Sequence, residues 1–380
     1  MKFDESTLYH VESGLSGERH TLYELATWKN GLAFKKIDFS ETGKPVIKIA
    51  ELNNGISPNT SYTNGEYGDE VALHWDDLLF SWSGNPQTSI DVFRYRLEDG
   101  WLNQHIFKVT ANERLVSKDF LYYVLKCLKP FFTEIATNKQ TTGLGHVTLA
   151  DLKRMSLIVP ERSVQNKIVT ILKSIDDKIE VNNEINKNLQ AQAQAIYTKK
   201  FITDADSSWP EGKLSDLIEV CYGKDHKKLN DGDIPVYGSG GIMRHVDQSL
   251  YDQESVLVPR KGTLNNVMYV NEPFWSVDTM FFTKMKRPNV AKFVFHFLKG
   301  KDLASMNAGS AVPSMTTKIL DAIPLQIPDN QTLSNFEAQV SPYYEAMAFN
   351  NTESENLAAL RDALLPKLMS GEIDVSAINL

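Results

Sequence analysis

Apolar residues recur every seventh position in two long stretches of the chain, 163–201 and 331–369. Ile168, Ile175, Asn182, Leu189 and Ile196 mark the period in the first, and Phe336, Tyr343, Asn350, Leu357 and Leu364 in the second. Each member of the second set lies 168 residues beyond its counterpart, the single asparagine included. A seven-residue apolar period keeps one seam of an α-helix facing a partner helix. Leu172, Ile179 and Ala193 widen the stripe in the first copy, Val340 and Met347 in the second. The spacing therefore predicts two long amphipathic helices that pair with each other. Asn182 and Asn350 sit near the helix midpoints, which meet when helices run antiparallel. The two side chains are expected to lie together across the seam and fix its register, because a slip would strand a buried amide.

Between these stretches the pattern changes to short apolar runs broken by Gly, Pro and Asn. Residues 1–20 are polar and aperiodic, an arm or extension. Strands are predicted at 46–49, 77–82 and 104–109, a turn at 53–55, and a helix at 120–128 whose one face carries Phe120, Val124 and Cys127. An apolar run ending at Pro160 precedes the first long helix. The same order returns later. Leu214, Leu217 and Gly223 repeat Leu22, Leu25 and Gly31; Pro235 and Val236 repeat Pro45 and Val46; Gly262 repeats Gly84; Trp275 repeats Trp101. The offset falls from 192 to 168 along the repeat, so the first globular segment is longer by 24 residues while the helices keep their length. The reading is an α+β chain with pseudo-two-fold tandem repeat: a head at 1–160, a long helix at 161–205, a second head at 206–328, and a second helix with its tail at 329–380. Antiparallel helices joined as a coiled coil would place one head at each end. A helix of about 35 residues is roughly 50 Å long, a spacing that suits a bipartite DNA site or any other two-site ligand.

Composition narrows the function. No window approaches eighteen consecutive apolar residues, so no membrane span is expected, and Asp4, Glu5, Glu12 and Glu18 near the start speak against a secretion signal. A cytoplasmic location is expected, with Cys127 and Cys221 as unpaired thiols. The net charge of −8 argues against a nucleic-acid partner, yet residues 321–380 alone hold nine acidic and two basic residues, whereas 210–320 are slightly basic. Catalytic and metal motifs are missing. Asp76 with Asp77, and Asp176 with Asp177, are adjacent in sequence and diverge on either a strand or a helix, so they make no metal pair. The strings at Asn85-Pro86 and at Asn271 to Phe274 lack the paired prolines that hold a flipped base in a stand-alone DNA methyltransferase.

The repeat carries a resemblance. Both heads end in an apolar run closed by proline, Leu320, Ile323, Leu325, Ile327 and Pro328 against Leu152, Met155, Leu157, Val159 and Pro160. With the Asn182-Asn183 and Asn350-Asn351 helices, the string at 364–373, the glycine run at 237–241 and Arg260-Lys261-Gly262, the chain resembles specificity subunits of type I restriction-modification enzymes over nearly its full length. The resemblance implies two target recognition domains on a conserved helical spacer, a non-catalytic role, and binding to double-stranded DNA. It further implies two methyltransferase (modification) subunits docked on the helices and a restriction subunit that joins them. No cofactor is expected on this chain, S-adenosylmethionine belonging to the modification subunits. Gln165 stands at the family's usual glutamine, but its counterpart in the second copy is Leu333. The rival reading is a coiled-coil scaffold whose two heads bind proteins or sugars.

Residue chemistry nominates the contacts to DNA, since Arg and Lys suit guanine edges and phosphates, and Asn and Gln suit adenine. In the first head these are Lys48, Asn53, Asn54, Ser81, Ser83, Gln87, Asn103, Gln104, Lys139, Thr141 and Thr142, with Arg94 and Arg96 sharing one strand face. In the second they are Tyr237, Ser239, Arg244, His245, Arg260, Lys261, Asn265, Asn266 and Ser310. Trp82 is assigned to the core and His146 to a structural hydrogen bond.

Overall fold

The computed structural model describes residues 9–11, 13–140, 143–306, 314–375 and 378. The two heptad stretches form the helices Arg162–Thr198 and Asn330–Ser370, whose first residues are 168 apart, the offset of the repeat. One π-helical turn, Lys199–Thr203, continues the first. The chain divides into two units, Met1–Glu180 with Glu353–Leu380, and Val181–Thr352, so the division cuts both long helices.

Within each unit a segment of one long helix lies antiparallel to a segment of the other. In the first unit Arg361 Nη1 reaches Asp176 Oδ1 at 2.9 Å and Lys178 Nζ reaches Glu353 Oε2 at 3.0 Å. Ile168, Leu172, Leu365 and Leu368 are buried together there. In the second unit the seam carries an amide ladder. The buried Asn182 donates to the Asn350 carbonyl at 3.4 Å, while the Asn350 side chain donates to Asn186 Oδ1 and Asn186 to Asn351 Oδ1, both at 2.8 Å. Asn182 and Asn350 thus meet through side chain and backbone, and the side-chain partner of Asn350 is Asn186, one turn further along. Leu189, Ile196, Tyr343 and Leu357 are only half-buried. Two helices cover a single stripe of each other, and burial is complete where a head supplies a third layer, as at Ala193, Tyr197, Phe336 and Val340.

The central sheets of the two heads share one strand order. The central sheet of the first runs in the order Ala26–Asn30, Ile106–Ala111, Leu78–Ser81, Asp91–Arg94, with every pair antiparallel. That of the second runs Ile218–Tyr222, Met280–Met285, Ser255–Pro259, Met268–Val270, again antiparallel throughout. A smaller sheet packs beside each. It pairs Lys44–Ile47 in parallel with Gly100–Leu102 in one head, and Ile234–Gly238 with Trp275–Ser276 in the other. Val46 stands opposite Trp101 and Val236 opposite Trp275, so two separately aligned repeat positions meet in space in both copies. Gly31 and Gly223 show why the repeat keeps glycine there. A Cβ on Gly31 would lie 2.2 Å from the Asn103 carbonyl oxygen, and one on Gly223 2.0 Å from that of Val277. The backbone of the crossing strand passes too close for any side chain.

The structure corrects parts of the sequence reading. The strand predicted at 46–49 is Lys44–Ile47, after which the chain turns into the helix Ile49–Asn54. Asn53 and Asn54 therefore close a helix, with Gly55 at φ 77° as its cap, where a strand turn was expected. The N-terminal segment is built into the first unit. Tyr9–His10 runs parallel to Met155–Pro160 and Gly17–Thr21 antiparallel to it, while Gly14 N donates to Ser370 O at 2.6 Å at the end of the second long helix. An edge strand needs backbone partners more than apolar side chains, so its polar sequence hid it. Gln165 is buried and bonds the Leu115 and Pro160 carbonyls and the Ser117 amide at 2.9–3.0 Å. Leu333 is buried at the matching position, an apolar contact in place of that hub, so both helices start in the same register.

Candidate nucleic-acid interface

The central strands point from a base, beside the long helices, to a tip. The base of the first head is an ion cluster around Asp76, an aspartate at φ 71°. Its carboxylate meets Arg94 Nη1 at 3.3 Å, Arg96 Nη1 at 2.6 Å and Lys118 Nζ at 2.5 Å. Burial pushes this carboxyl up, but Lys118 and the two guanidiniums outweigh it and hold it below the ordinary range. Arg94 also binds Asp119 at 2.7 Å and covers the Tyr122 ring, and Arg96 lies 3.9 Å from Glu180 and over Trp75. Arg94 and Arg96 do share a face, as the alternation required, but that face is turned to carboxylates. They are withdrawn as a phosphate grip.

The second head has a base of the same plan and different charge. Lys292 is buried between Glu254, at 2.9 Å, and Glu337, and Tyr269 donates to Glu254. Beside it, the fully buried His296 shares hydrogen bonds with Gln194 Oε1 at 2.8 Å and Tyr344 Oη at 2.9 Å and stacks on Tyr197. Burial pushes the imidazole down to about 4. The equivalent helix of the first head presents Tyr123, which donates to Asp176 Oδ2 at 2.7 Å. In both heads, then, the helix after the sheet is keyed to the long helices by a buried polar contact.

Other nominated residues are also committed to the interior of their own head. Ser81 and Ser83 are buried, 0% and 5% exposed, Ser83 holding His146 Nδ1 at 2.9 Å, so neither can touch a ligand without unfolding the strand end. Lys139 neutralises the buried Asp151 at 2.7 Å, together with Arg154 at 2.6 Å. Lys48 donates to Ser61 Oγ at 2.9 Å and covers Phe39. Arg244 lies on the returning strand Gly241–Val246, away from the glycine turn, where Asp231 and the Leu229 carbonyl hold it. These three nominated cations, Lys139, Lys48 and Arg244, are lost from the expected contact set for one reason: each has a nearer partner in its own head. Thr141, Thr142 and Ser310 lie outside the described residues.

The tips keep the rest. In the second head the strand Ile234–Gly238, which carries Tyr237, turns back at 239–240, which makes the glycine run a hairpin, and Asn266 donates to the Ser239 carbonyl at 2.9 Å. Residues 260–266 and the 239–240 turn are thereby brought together. Arg260 lies over the half-exposed Tyr222 ring and donates to the Asp278 carbonyl at 3.2 Å, and Lys261 is exposed beside it. Among the described residues neither has a carboxylate in ion-pair range. Asn265 is exposed but bonds Asp302 at 3.1 Å, His245 is exposed, and Tyr237 donates to Glu272 at 3.1 Å. In the first head Asn53, Asn54 and Gln87 are exposed, and Asn103 and Gln104 adjoin His105. Trp82, assigned to the core from sequence, is half-buried: it stacks on Phe107, lies within 6.0 Å of the His105 and His146 rings, and donates to Asn30 Oδ1 at 3.0 Å. Partial burial, then neighbouring His146, holds His105 below the ordinary imidazole value. Sequence spacing could not flag Asn30, His105 or Tyr222, since strand pairing alone brings them to the tip. Among the described residues no cluster of His, Cys, Asp or Glu could hold a metal ion, and no helix is long and apolar enough to cross a membrane.

The family model for the type I restriction modification DNA specificity domain matches residues 18–191 and again 206–353, one match per head with the long-helix segment that follows it. The chain belongs to that specificity family. Its identity to individual members is low. The HindI specificity subunit of Haemophilus influenzae is 21% identical over 74% of this chain and 84% of its own length. The MjaIX specificity subunit of Methanocaldococcus jannaschii is 22% identical over 73% of each. The type I restriction-modification S subunit from M. genitalium shares the fold, at a TM-score of 0.54 and 18% identity over 94% of this chain and 96% of that one. A specificity-family chain with two heads built on one central-sheet order and carrying different tips is what the duplicated sequence led one to expect.

Proposed function

We propose that the chain is the DNA-recognition subunit of a type I restriction-modification complex, each head reading one half of a split sequence. The long helices would set the unread spacer and dock two modification subunits, with a restriction subunit completing the assembly; S-adenosylmethionine would sit on the modification subunits, and this chain would catalyse nothing itself. The observation that carries the reading is the pair of family matches falling on two heads whose central sheets share one strand order and whose tips differ in chemistry. Two copies of one scaffold with divergent ends suit a ligand with two unlike halves. The net charge of −8 fits a chain that leaves much of the phosphate grip to its partners.

Methylation mapping of the host genome, with and without the gene, tests it. A bipartite modified motif with an unread spacer, lost on deletion, is expected; a continuous palindrome or an unchanged methylome would overturn the reading. A gel shift of the chain with its modification subunits across a salt titration separates it from a protein- or sugar-binding scaffold, which would show no sequence-selective retention at any salt.

A further inference from the structure

At the far end of its central strand each head carries a pair of residues that the fold treats alike and the chemistry treats oppositely. In the first head Ser83 pairs with His146 across a short antiparallel bridge, and the residue before it, Trp82, donates to Asn30 at 3.0 Å. In the second Lys261 pairs with Ser314 across the corresponding bridge, and the residue before it, Arg260, sets its guanidinium 5.4 Å from the centre of the Tyr222 ring. The correspondence is structural as well as sequential. Asn30 and Tyr222 are each the last residue of the first central strand, immediately before the glycine that the crossing strand forces on both heads.

We propose that this strand end is the selectivity position of each head, presenting a neutral aromatic edge through Trp82 in one and a cationic edge through Arg260 and Lys261 in the other. The proposal rests on the DNA-recognition reading and names which residues select. Arg260 is suited to select because its guanidinium is supported by an aromatic face and one carbonyl. That leaves N–H donors for a ligand and restricts the side chain before binding. Of the other nominated cations, Arg94, Arg96, Lys139 and Arg244 already face carboxylates, and Lys48 donates to Ser61. Guanine offers O6 and N7 as paired acceptors in the major groove, the arrangement an arginine or lysine reads best. The second head is therefore assigned a half-site containing a G·C pair. Trp82, whose N–H is held by Asn30, offers an apolar ring, which gives van der Waals contact with a base edge, such as a thymine methyl, and releases no counterion.

The test uses the complete complex of this chain with its modification subunits, expressed in a host without other methylation, and long-read mapping of the methylated motif. Wild type is compared with Arg260→Gln, Lys261→Ala, Trp82→Ala and Trp82→Phe, the last retaining ring packing on Phe107. Expected for Arg260→Gln is loss of discrimination, on the order of ten- to a hundredfold, at one G·C pair in one half of the motif, with the other half unchanged. Expected for both Trp82 variants is relaxation confined to the other half. A motif unchanged by all four substitutions, a change by both groups in the same half, or a position lost under Arg260→Gln that is not G·C overturns the proposal while leaving the recognition reading intact. Complexes that assemble on gel filtration yet methylate nothing also overturn it, since the residues would then be structural. A wild-type complex that yields no bipartite motif instead overturns the recognition reading itself.

Discussion

Asp151 illustrates how individual side chains divide between structure and function. Its carboxylate is fully buried and receives Lys139 Nζ, Arg154 Nη2 and both the amide and hydroxyl of Thr148 at 2.6–2.8 Å. Burial alone pushes this carboxyl up; the hydrogen bonds outweigh it and hold it below the ordinary range. Its stabilisation is therefore fully present above the unfolded value, about 3.9, and is lost as pH falls through the depressed folded value. Asp151→Asn is expected to cost about 3 kcal/mol in urea unfolding, because it removes the buried carboxylate that neutralises two half-buried cations; a loss under about 1 kcal/mol would show that the cluster is solvated. His296 works in the same direction with a different group. Its folded value of about 4 lies below the unfolded one of about 6.5, so neutral imidazole stabilises fully above pH 6.5 and the advantage fades toward pH 4. The difference corresponds to roughly 3 kcal/mol. Unfolding of His296→Phe followed at several pH values should lack most of the slope that wild type shows in that window; equal slopes would place the acid sensitivity elsewhere.

At the scale of elements, the long helices owe their pairing to a seam whose polar centre is more elaborate than its period. Asn182 was visible as the one polar residue on the heptad, but Asn186 lies off it and makes the side-chain contacts, to Asn350 and Asn351 at 2.8 Å. Asn186→Ala and Asn351→Ala should each destabilise the second unit. A double-mutant cycle should return a coupling of about 0.5–3 kcal/mol, as expected for side chains in contact. Additive effects would mean the ladder contributes nothing beyond its separate parts. The sheets show the complementary case. Their strands were legible as apolar runs bounded by Gly and Pro, whereas the N-terminal strands were not, because Gly17–Thr21 has no buried residue and is held by backbone pairing to Met155–Pro160.

For the whole molecule, duplication explains more than either copy does. A repeat that preserves helix offset and strand order while changing its tips keeps one scaffold and varies what it presents. Under the recognition reading, removing one heptad from each long helix takes out about 10 Å of rise. That should shorten the unread spacer by about three base pairs while both half-motifs stay the same. Methylation mapping of the shortened variant checks it, and altered half-motifs with an unchanged spacer would remove the helices from the role of ruler.

The sequence by itself determined the repeat, the helices, the seam and the family, because periodicity and spacing are properties of one chain read along its length. Which cations remain available was decided only in three dimensions. Arg94, Arg96 and Lys139 read as a DNA-facing set until folding brought Asp76, Asp119 and Asp151 beside them. Arg260 and Lys261 stayed at the strand end without such neighbours among the described residues. An ion pair between distant residues leaves no local signature, since it depends on which strands pair. The tip is where that pairing left charge in one head and an aromatic ring in the other.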